Sequence, residues 1–176
     1  AAPVVVGVLA PIALAAYIAL FGAAFGAGLG LLELRGRAGP FALAALWTAL
    51  DYLRHHLLSG FPWAVLGYAQ HQEPALMALA PIAGVYGLSF VTVLGSLGAG
   101  ATLRAMAERQ VPPRQALAAC VATLALLGVG AWISAHPTPS SGEKIRVAVI
   151  QGNIDQGVKW SHSWQELTLE IYEDLT

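Results

Sequence analysis

The groups able to do chemistry within apolar sequence are few. Cys120 lies in ALAACVATLALLGVGAW, and Asp51, Arg54, His55 and His56 lie in ALDYLRHHLL. Cys120 is the single cysteine, so it excludes an internal disulfide and gives no metal cluster. In that setting it reads as a small buried residue rather than a nucleophile. Asp51 and Arg54 are three apart and share a helical face, where they can pair. The alternative is that they line a polar cavity. Directly after them comes GFPWAVLGYAQHQEPALMALAPIAGVYGLSF, Gly60 to Phe90, with three prolines, two tyrosines, a tryptophan, a histidine and a glutamate. An ordinary connection needs only polar turn residues. Aromatic rings and prolines here imply a shaped surface at the edge of a membrane.

The elements that must hold these residues follow from composition. With 57% hydrophobic and 11% charged residues, against about 25% charged in soluble domains, this is a membrane chain. A helix needs about 20 apolar residues to cross a bilayer, and four stretches qualify: Val4 to Leu32, Phe41 to Leu58, Ile82 to Leu103 and Ala116 to Ser134. The second is the weakest, because Asp51, Arg54, His55 and His56 fall in its last turns and must reach water, the interface or one another. Arg35, Arg37, Arg104, Arg109 and Arg114 flank one side of the four stretches, with only Arg54 near the other. The positive-inside bias assigns the five to the cytoplasm. The proline-rich loop and the residues after about Ser134 are then extracytoplasmic. Gly22, Gly26 and Gly30, and Gly95 with Ala99, form small-residue ridges suited to helix packing. The opening AAPVVVGVLA has no initiator Met and no basic residue, unlike a secretory signal, and the chain is expected to be a piece of a longer protein.

Residues 1–135 hold six basic and four acidic residues, and 136–176 hold three and six. That asymmetry marks two environments. The segment 136–144 has the composition of a linker. In 145–176, Ile145 to Ile150 reads as a β-branched strand, Gln-Gly-Asn as a polar loop, and the residues from near His162 as an amphipathic helix with 164, 167, 171 and 175 apolar. Strand, loop and helix open a layered α/β domain. Glu166, Glu170 and Glu173 then form the solvated face of that helix, and Gln151 and Asn153 fix the loop backbone. About 30 residues cannot bury a core alone.

GFPW with LGYAQ, LAPIAGVYGLSF and above all VAVIQGNIDQGVKW resemble the bacterial apolipoprotein N-acyltransferases, membrane enzymes with a nitrilase-like domain outside the cytoplasmic membrane. The likeness is collinear from about Phe41 onward. It implies a polytopic α-helical membrane domain of about four spans, followed by the first strand-loop-helix of a nitrilase-like α/β domain. It also implies transfer of an acyl chain from a phospholipid donor to the N-terminal amine of a diacylglyceryl-cysteine apolipoprotein acceptor in the bacterial inner membrane. A cysteine nucleophile, a glutamate base and a lysine supporting the oxyanion carry that chemistry through a thioacyl-enzyme. No metal or other cofactor and no nucleic acid are implied. The family's Glu, Lys and Cys are expected beyond Thr176, so Cys120, Lys144, Lys159 and the helix glutamates take no catalytic role, and these 176 residues alone are expected to be inactive. Trp160, in GVKW, matches a tryptophan the family needs for activity and is a candidate substrate contact. Phe61, Trp63 and Tyr68 suit the membrane interface, where a ring can meet an acyl chain, or serve as ordinary aromatic anchors.

Three other readings have distinct signatures. A membrane-tethered nitrilase-fold amidase would share the strand and loop without needing a lipid-accessible FPW loop. A non-enzymatic membrane scaffold would explain the spans and glycine ridges and leave QGNIDQGVKW as coincidence. A fusion to a polyprenol-dependent glycosyltransferase would be revealed by flanking sequence.

Overall fold

The computed structural model of the chain describes residues 2–34, 39–58, 60–137, 146–155, 157, 161 and 164–175. The chain divides into two compact units, Ala1–Pro137 and Thr138–Thr176. In the first, helices α1 (Ala2–Leu34) and α2 (Pro40–His56) are followed by a 3₁₀ turn (Leu66–Gln70), the single turn α3 (Pro74–Met77), and helices α4 (Ala80–Ala107) and α5 (Arg114–Ala135). The second contains α6 (Gln165–Asp174). Proline sits in the first turn of α2, α3 and α4, where its missing N–H costs nothing.

Among the described residues, three helices are long and apolar enough to cross a membrane: Gly7–Glu33 within α1, and all of α4 and α5. Together with their exposed Leu20, Ile82 and Leu124 side chains, they describe a membrane protein. The second stretch also forms a helix, but α2 has only 17 residues, about 26 Å at 1.5 Å per residue. That falls short of the ~30 Å hydrocarbon core. The chain turns out of the helix at Leu57 because the polar cluster at 51–56 is followed by a tight reversal through Leu58 and Gly60, both at positive φ.

α4 is the central helix, packed between α2 and α5, while α1 docks along α2. Leu94 meets Ala44 and Ala119 in one core cluster, and Leu88 and Val91 meet Leu76 and Leu79 in another. The close approach of α4 to α5 runs through Gly95 and Gly98: a Cβ added to Gly98 would lie 2.9 Å from Ala119 Cβ, and one on Gly95 2.9 Å from Thr123 Cγ2. A Cβ added to Gly22, Gly26 or Gly30 would meet nothing within 4 Å among the described residues, whereas one on Gly28 beside them would lie 2.7 Å from Leu46 Cδ2. A four-residue repeat marks a smooth face on a helix. It does not say which partner uses it.

Near its start α4 is broken at Gly84, whose φ of 61° and ψ of −175° belong to no helix. Most of α4 therefore runs in a direction set by this kink, which only a glycine adopts without strain.

In the second unit, residues 146–150 take no regular secondary structure where a strand was expected, and Val149 is 92% exposed. A strand is held by the backbone hydrogen bonds of a neighbour, and the described residues of this unit supply none. α6 forms one position later than its apolar spacing begins: Trp164 precedes it in a turn, its N–H donating to Ser161 O at 3.0 Å. Glu166, Glu170 and Glu173 are exposed as expected, Trp164 and Ile171 are half-buried, and Gly152 lies against the Tyr172 ring. Asn153 takes a positive φ of 48°, a conformation asparagine tolerates. Arg35, Arg37, Ser141, Lys144, Ile145, Lys159, Trp160 and His162 lie outside the described residues.

Candidate functional site

The end of α2 and the loop after it form one hydrogen-bonded assembly. Asp51 and Arg54 each keep only 6% of their surface exposed, and Arg54 Nη2 donates to Asp51 Oδ1 at 2.8 Å. The expectation that they pair therefore holds; the cavity between α1 and α2 that they also line is walled mainly by apolar side chains such as Ile18, Phe21, Phe25 and Leu50, and is not the polar cavity of the alternative. A buried arginine held this way is a fixed hub. Its Nη2 also donates to the Ala64 carbonyl at 3.3 Å, and its own carbonyl accepts from the Phe61 N–H at 3.1 Å and from Tyr17 Oη at 3.2 Å. Ala64 sits at a positive φ of 57°, a strained conformation for a residue with a Cβ. The FPW turn is thus tied to α2 on both sides of Pro62 and Trp63.

A second tie holds the loop to α4. The Gly67 N–H donates to Ser89 Oγ at 2.9 Å, with both residues buried. A Cβ on Gly67 would run into the Val85 carbonyl. Only glycine fits there, because the backbone of the 3₁₀ turn lies directly on the helix.

These ties set the three loop aromatics differently. Phe61 is half-buried, edge-on to Tyr17 with ring centroids 6.5 Å apart. Trp63 follows at 5.6 Å from the Phe61 ring but is 71% exposed, and Tyr68 is 53% exposed. The structure brings Phe61 and Trp63 together and leaves Tyr68 outside that ring contact. Trp160, the fourth candidate, is among the residues not described.

Beside the loop is a ring cluster that the spacing of the sequence did not single out. Tyr86 Oη is hydrogen-bonded to His55 Nδ1, the His56 ring stacks on Tyr52 at 4.1 Å, and Tyr52 meets Tyr86 at 5.4 Å. The histidines therefore have aromatic and phenolic partners at the end of α2. Between Tyr86, Ile82, Phe90 and Val129 lies an apolar cavity of about 450 Å³. Cys120 is half-buried on α5, its Sγ 3.8 Å from Thr102 Oγ1, a packing position.

The geometry is a rigid, aromatic-tipped loop on a bundle of apolar helices, with apolar cavities to either side. The model of the apolipoprotein N-acyltransferase N-terminal domain matches residues 1–98, more than half of the chain. The chain belongs to the apolipoprotein N-acyltransferase family. Relatives bearing that name are 38% identical in Geobacter metallireducens over 97% of this chain, 37% in Nitrosomonas europaea over 96%, and 36% in Photobacterium profundum over 99%. The chain covers 33%, 33% and 32% of those proteins respectively, so it spans about a third of the length of the curated relatives it matches. The family model covers α1, α2 and the anchored loop, and reaches Gly98 in α4.

Tyr17, Tyr86 and Ser89 are the participants that sequence reasoning missed. Tyr17 carried a signal, as the one hydroxyl in the long apolar run of α1. Ser89 carried none, because its partner is a backbone N–H 22 residues away.

Proposed function

We propose that this chain is the membrane part, and the beginning of a nitrilase-like domain, of an enzyme that moves an acyl chain from a membrane phospholipid to the N-terminal amine of a diacylglyceryl-cysteine lipoprotein. The observation that carries the reading is the loop: Trp63 and Tyr68 stand exposed on a backbone pinned from beneath by Arg54 and Ser89. An aromatic surface held that firmly suits guiding acyl chains at the bilayer edge, where amphipathic rings are favoured. Phe61 supports it from below. Trp160 joins these residues as a substrate contact on the strength of the family resemblance. The names of the relatives supply the acceptor class, a lipoprotein amine.

On this reading 1–135 is the membrane domain, 136–144 the linker and 145–176 the first strand-loop-helix of the nitrilase-like domain. α2 serves as a fourth, short span, accommodated by thinning of the bilayer and by its long flanking side chains. The loop and the residues after about Ser134 face outward from the bacterial inner membrane. The thiol, base and lysine are assigned beyond Thr176. The thiolate attacks the phospholipid ester carbonyl, the ester C–O bond breaks, and the departing alkoxide takes the proton held by the base to become a free glycerol hydroxyl. The lipoprotein amine then attacks the thioester, forming an amide and releasing the thiol.

The test uses the full-length protein with an alkyne-tagged phosphatidylethanolamine. A hydroxylamine-sensitive adduct on the protein, followed by transfer of the tag to a diacylglyceryl-cysteine peptide, is the expected result. Release of the tagged acid to water with no transfer to the amine would point to an amidase-like hydrolase. No adduct at all would leave a scaffold.

A further inference from the structure

The end of the first unit that carries the FPW loop holds histidines that the loop anchor does not use. His56 ends α2, His71 follows the 3₁₀ turn and His136 follows α5, and all three are exposed. α5 finishes at this end of the bundle, since a Cβ on its late residue Gly130 would run into the Ala75 carbonyl. Arg104, Arg109 and Arg114 stand at the opposite end, around the turn between α4 and α5. Among the described residues of this unit, Arg54 is the one arginine at the loop end, and it is buried against Asp51. The loop end therefore presents no fixed positive charge to its surroundings.

The three histidines share one geometry. Nδ1 lies 2.8 Å from the Tyr52 carbonyl oxygen in His56, 2.9 Å from the Trp132 carbonyl oxygen in His136 and 3.3 Å from the Tyr68 carbonyl oxygen in His71. A carbonyl oxygen only accepts, so Nδ1 carries a proton and donates in each case. The proton that comes and goes is then the one on Nε2. Two of the rings are also fixed in orientation, His56 stacked on Tyr52 at 4.1 Å and His136 on Trp132 at 5.2 Å. Beside His56 are the His55 ring and, from α4, Tyr86, whose hydroxyl is bonded to His55. Glu73, two residues beyond His71, is the exposed carboxylate at this end, and none of the three histidines is ion-paired with a described carboxylate.

An imidazole held this way shows a lone pair outward when neutral and an N–H when charged. The charged form also gains from the carbonyl end of its helix and from the aromatic face beneath it. Its outward N–H makes a charge-assisted hydrogen bond to an anion. Histidine is the side chain that gains charge nearest to neutral pH. At a bilayer edge the anion at hand is the lipid phosphate, and a lipid without an ammonium beside that phosphate is favoured by net charge.

We propose that His56, His71 and His136 form a contact surface for anionic lipid headgroups that engages on acidification, with Nε2–H of each histidine donating to a lipid phosphate oxygen. It requires the loop end to lie at a bilayer surface and does not depend on acyl transfer. The opposite end needs no such device, because arginine stays charged throughout.

The test uses full-length protein in phosphate-free buffer, reconstituted in phosphatidylcholine with trace spin-labelled phosphatidylglycerol or spin-labelled phosphatidylcholine. The fraction of each label immobilised at the protein is read. The arginines set a preference for phosphatidylglycerol that does not vary with pH. The histidines are expected to raise it about threefold or more between about pH 7.5 and about pH 5, roughly the effect of one added cation at a membrane surface. An unchanged preference in the unaltered protein overturns the proposal. His56→Gln, His71→Gln and His136→Gln together keep an N–H for the backbone carbonyls and remove the titrating nitrogen, so most of the rise should disappear. A rise that this triple variant retains belongs to other groups and overturns the proposal as well. Nitrogen NMR of histidine-labelled, unaltered protein checks the geometry without any variant. The Nδ1–H tautomer is expected at high pH, and an Nε2–H tautomer in His56 and His136 would remove the basis of the site.

Discussion

Arg54 and Asp51, 2.8 Å apart and almost wholly buried, join the last turns of α2 to the loop that follows it. Asp51 holds the guanidinium, and the guanidinium holds the Ala64 carbonyl. A charge pair within one helix thus acts on a segment ten residues further along.

Removing one member of this pair leaves the other charge buried and alone, which costs about 3–5 kcal/mol. Arg54→Gln is therefore expected to lower the thermal unfolding temperature of the detergent-solubilised protein markedly. Asp51→Asn combined with Arg54→Gln should lose less than Arg54→Gln alone, because no unpaired charge remains. A double variant as unstable as the single one would mean that Arg54 acts through the loop carbonyls and not through its charge.

The contact of the loop with α4 has its own test. Ser89→Ala leaves the buried Gly67 N–H without its acceptor, at a cost of about 1–3 kcal/mol. Gly67→Ala forces a methyl group onto the Val85 carbonyl and is expected to cost at least as much. Proteolysis at the loop, compared with cleavage elsewhere, would show whether the loop alone is released.

Topology is tested on a Cys120→Ala background. Single cysteines at Gly36 and Gln110 should be shielded from an impermeant thiol reagent in intact cells, and one at Ser141 should react. The opposite pattern would place the loop on the cytoplasmic side and remove the compartment in which the lipoprotein amine is presented.

How much of this was legible in the sequence depends on the range of the forces involved. Burial in lipid is set by the count of apolar residues along a helix, so α1, α4 and α5 were readable from Val4 to Leu32, Ile82 to Leu103 and Ala116 to Ser134 with ends within a few residues. The bounds of α2 were as close, Phe41 to Leu58 against Pro40–His56, but that Ala64 and Tyr17 would bind its polar end was not readable, because both partners lie outside the helix. The spacing of Asp51 and Arg54 showed that they could meet. That they would be buried while meeting rests on α1 and the loop closing over them. The stretch Ile145 to Ile150 has strand composition, yet a strand exists only with a neighbour. Glycine spacing pointed to Gly22, Gly26 and Gly30 and to Gly95 with Ala99; the close contact with α5 uses Gly95 as expected, with Gly98 in place of the exposed Ala99, since the approach of α4 to α5 is decided by the whole bundle.

The loop aromatics separate support from substrate contact, because their burial differs. Phe61 is half-buried on Tyr17, so Phe61→Ala should lower stability by roughly 1–3 kcal/mol and reduce acyl transfer in proportion to the folded fraction. Trp63 is 71% exposed, and a side chain so placed adds little to folding. Trp63→Ala should therefore leave the unfolding temperature nearly unchanged while slowing thioester formation from phospholipid, with Trp63→Phe restoring much of the rate. Trp160→Ala is expected to cut transfer strongly in protein that still inserts and accumulates. Its comparison is Trp164→Ala, where loss of a half-buried ring lowers stability by less than the ~3–5 kcal/mol of a fully buried tryptophan. Normal rates in both half-reactions for Trp63→Ala and Trp160→Ala would reduce these rings to membrane anchors. Loss of thioester formation alone would place them at the phospholipid. Loss of only the second step would place them at the lipoprotein amine.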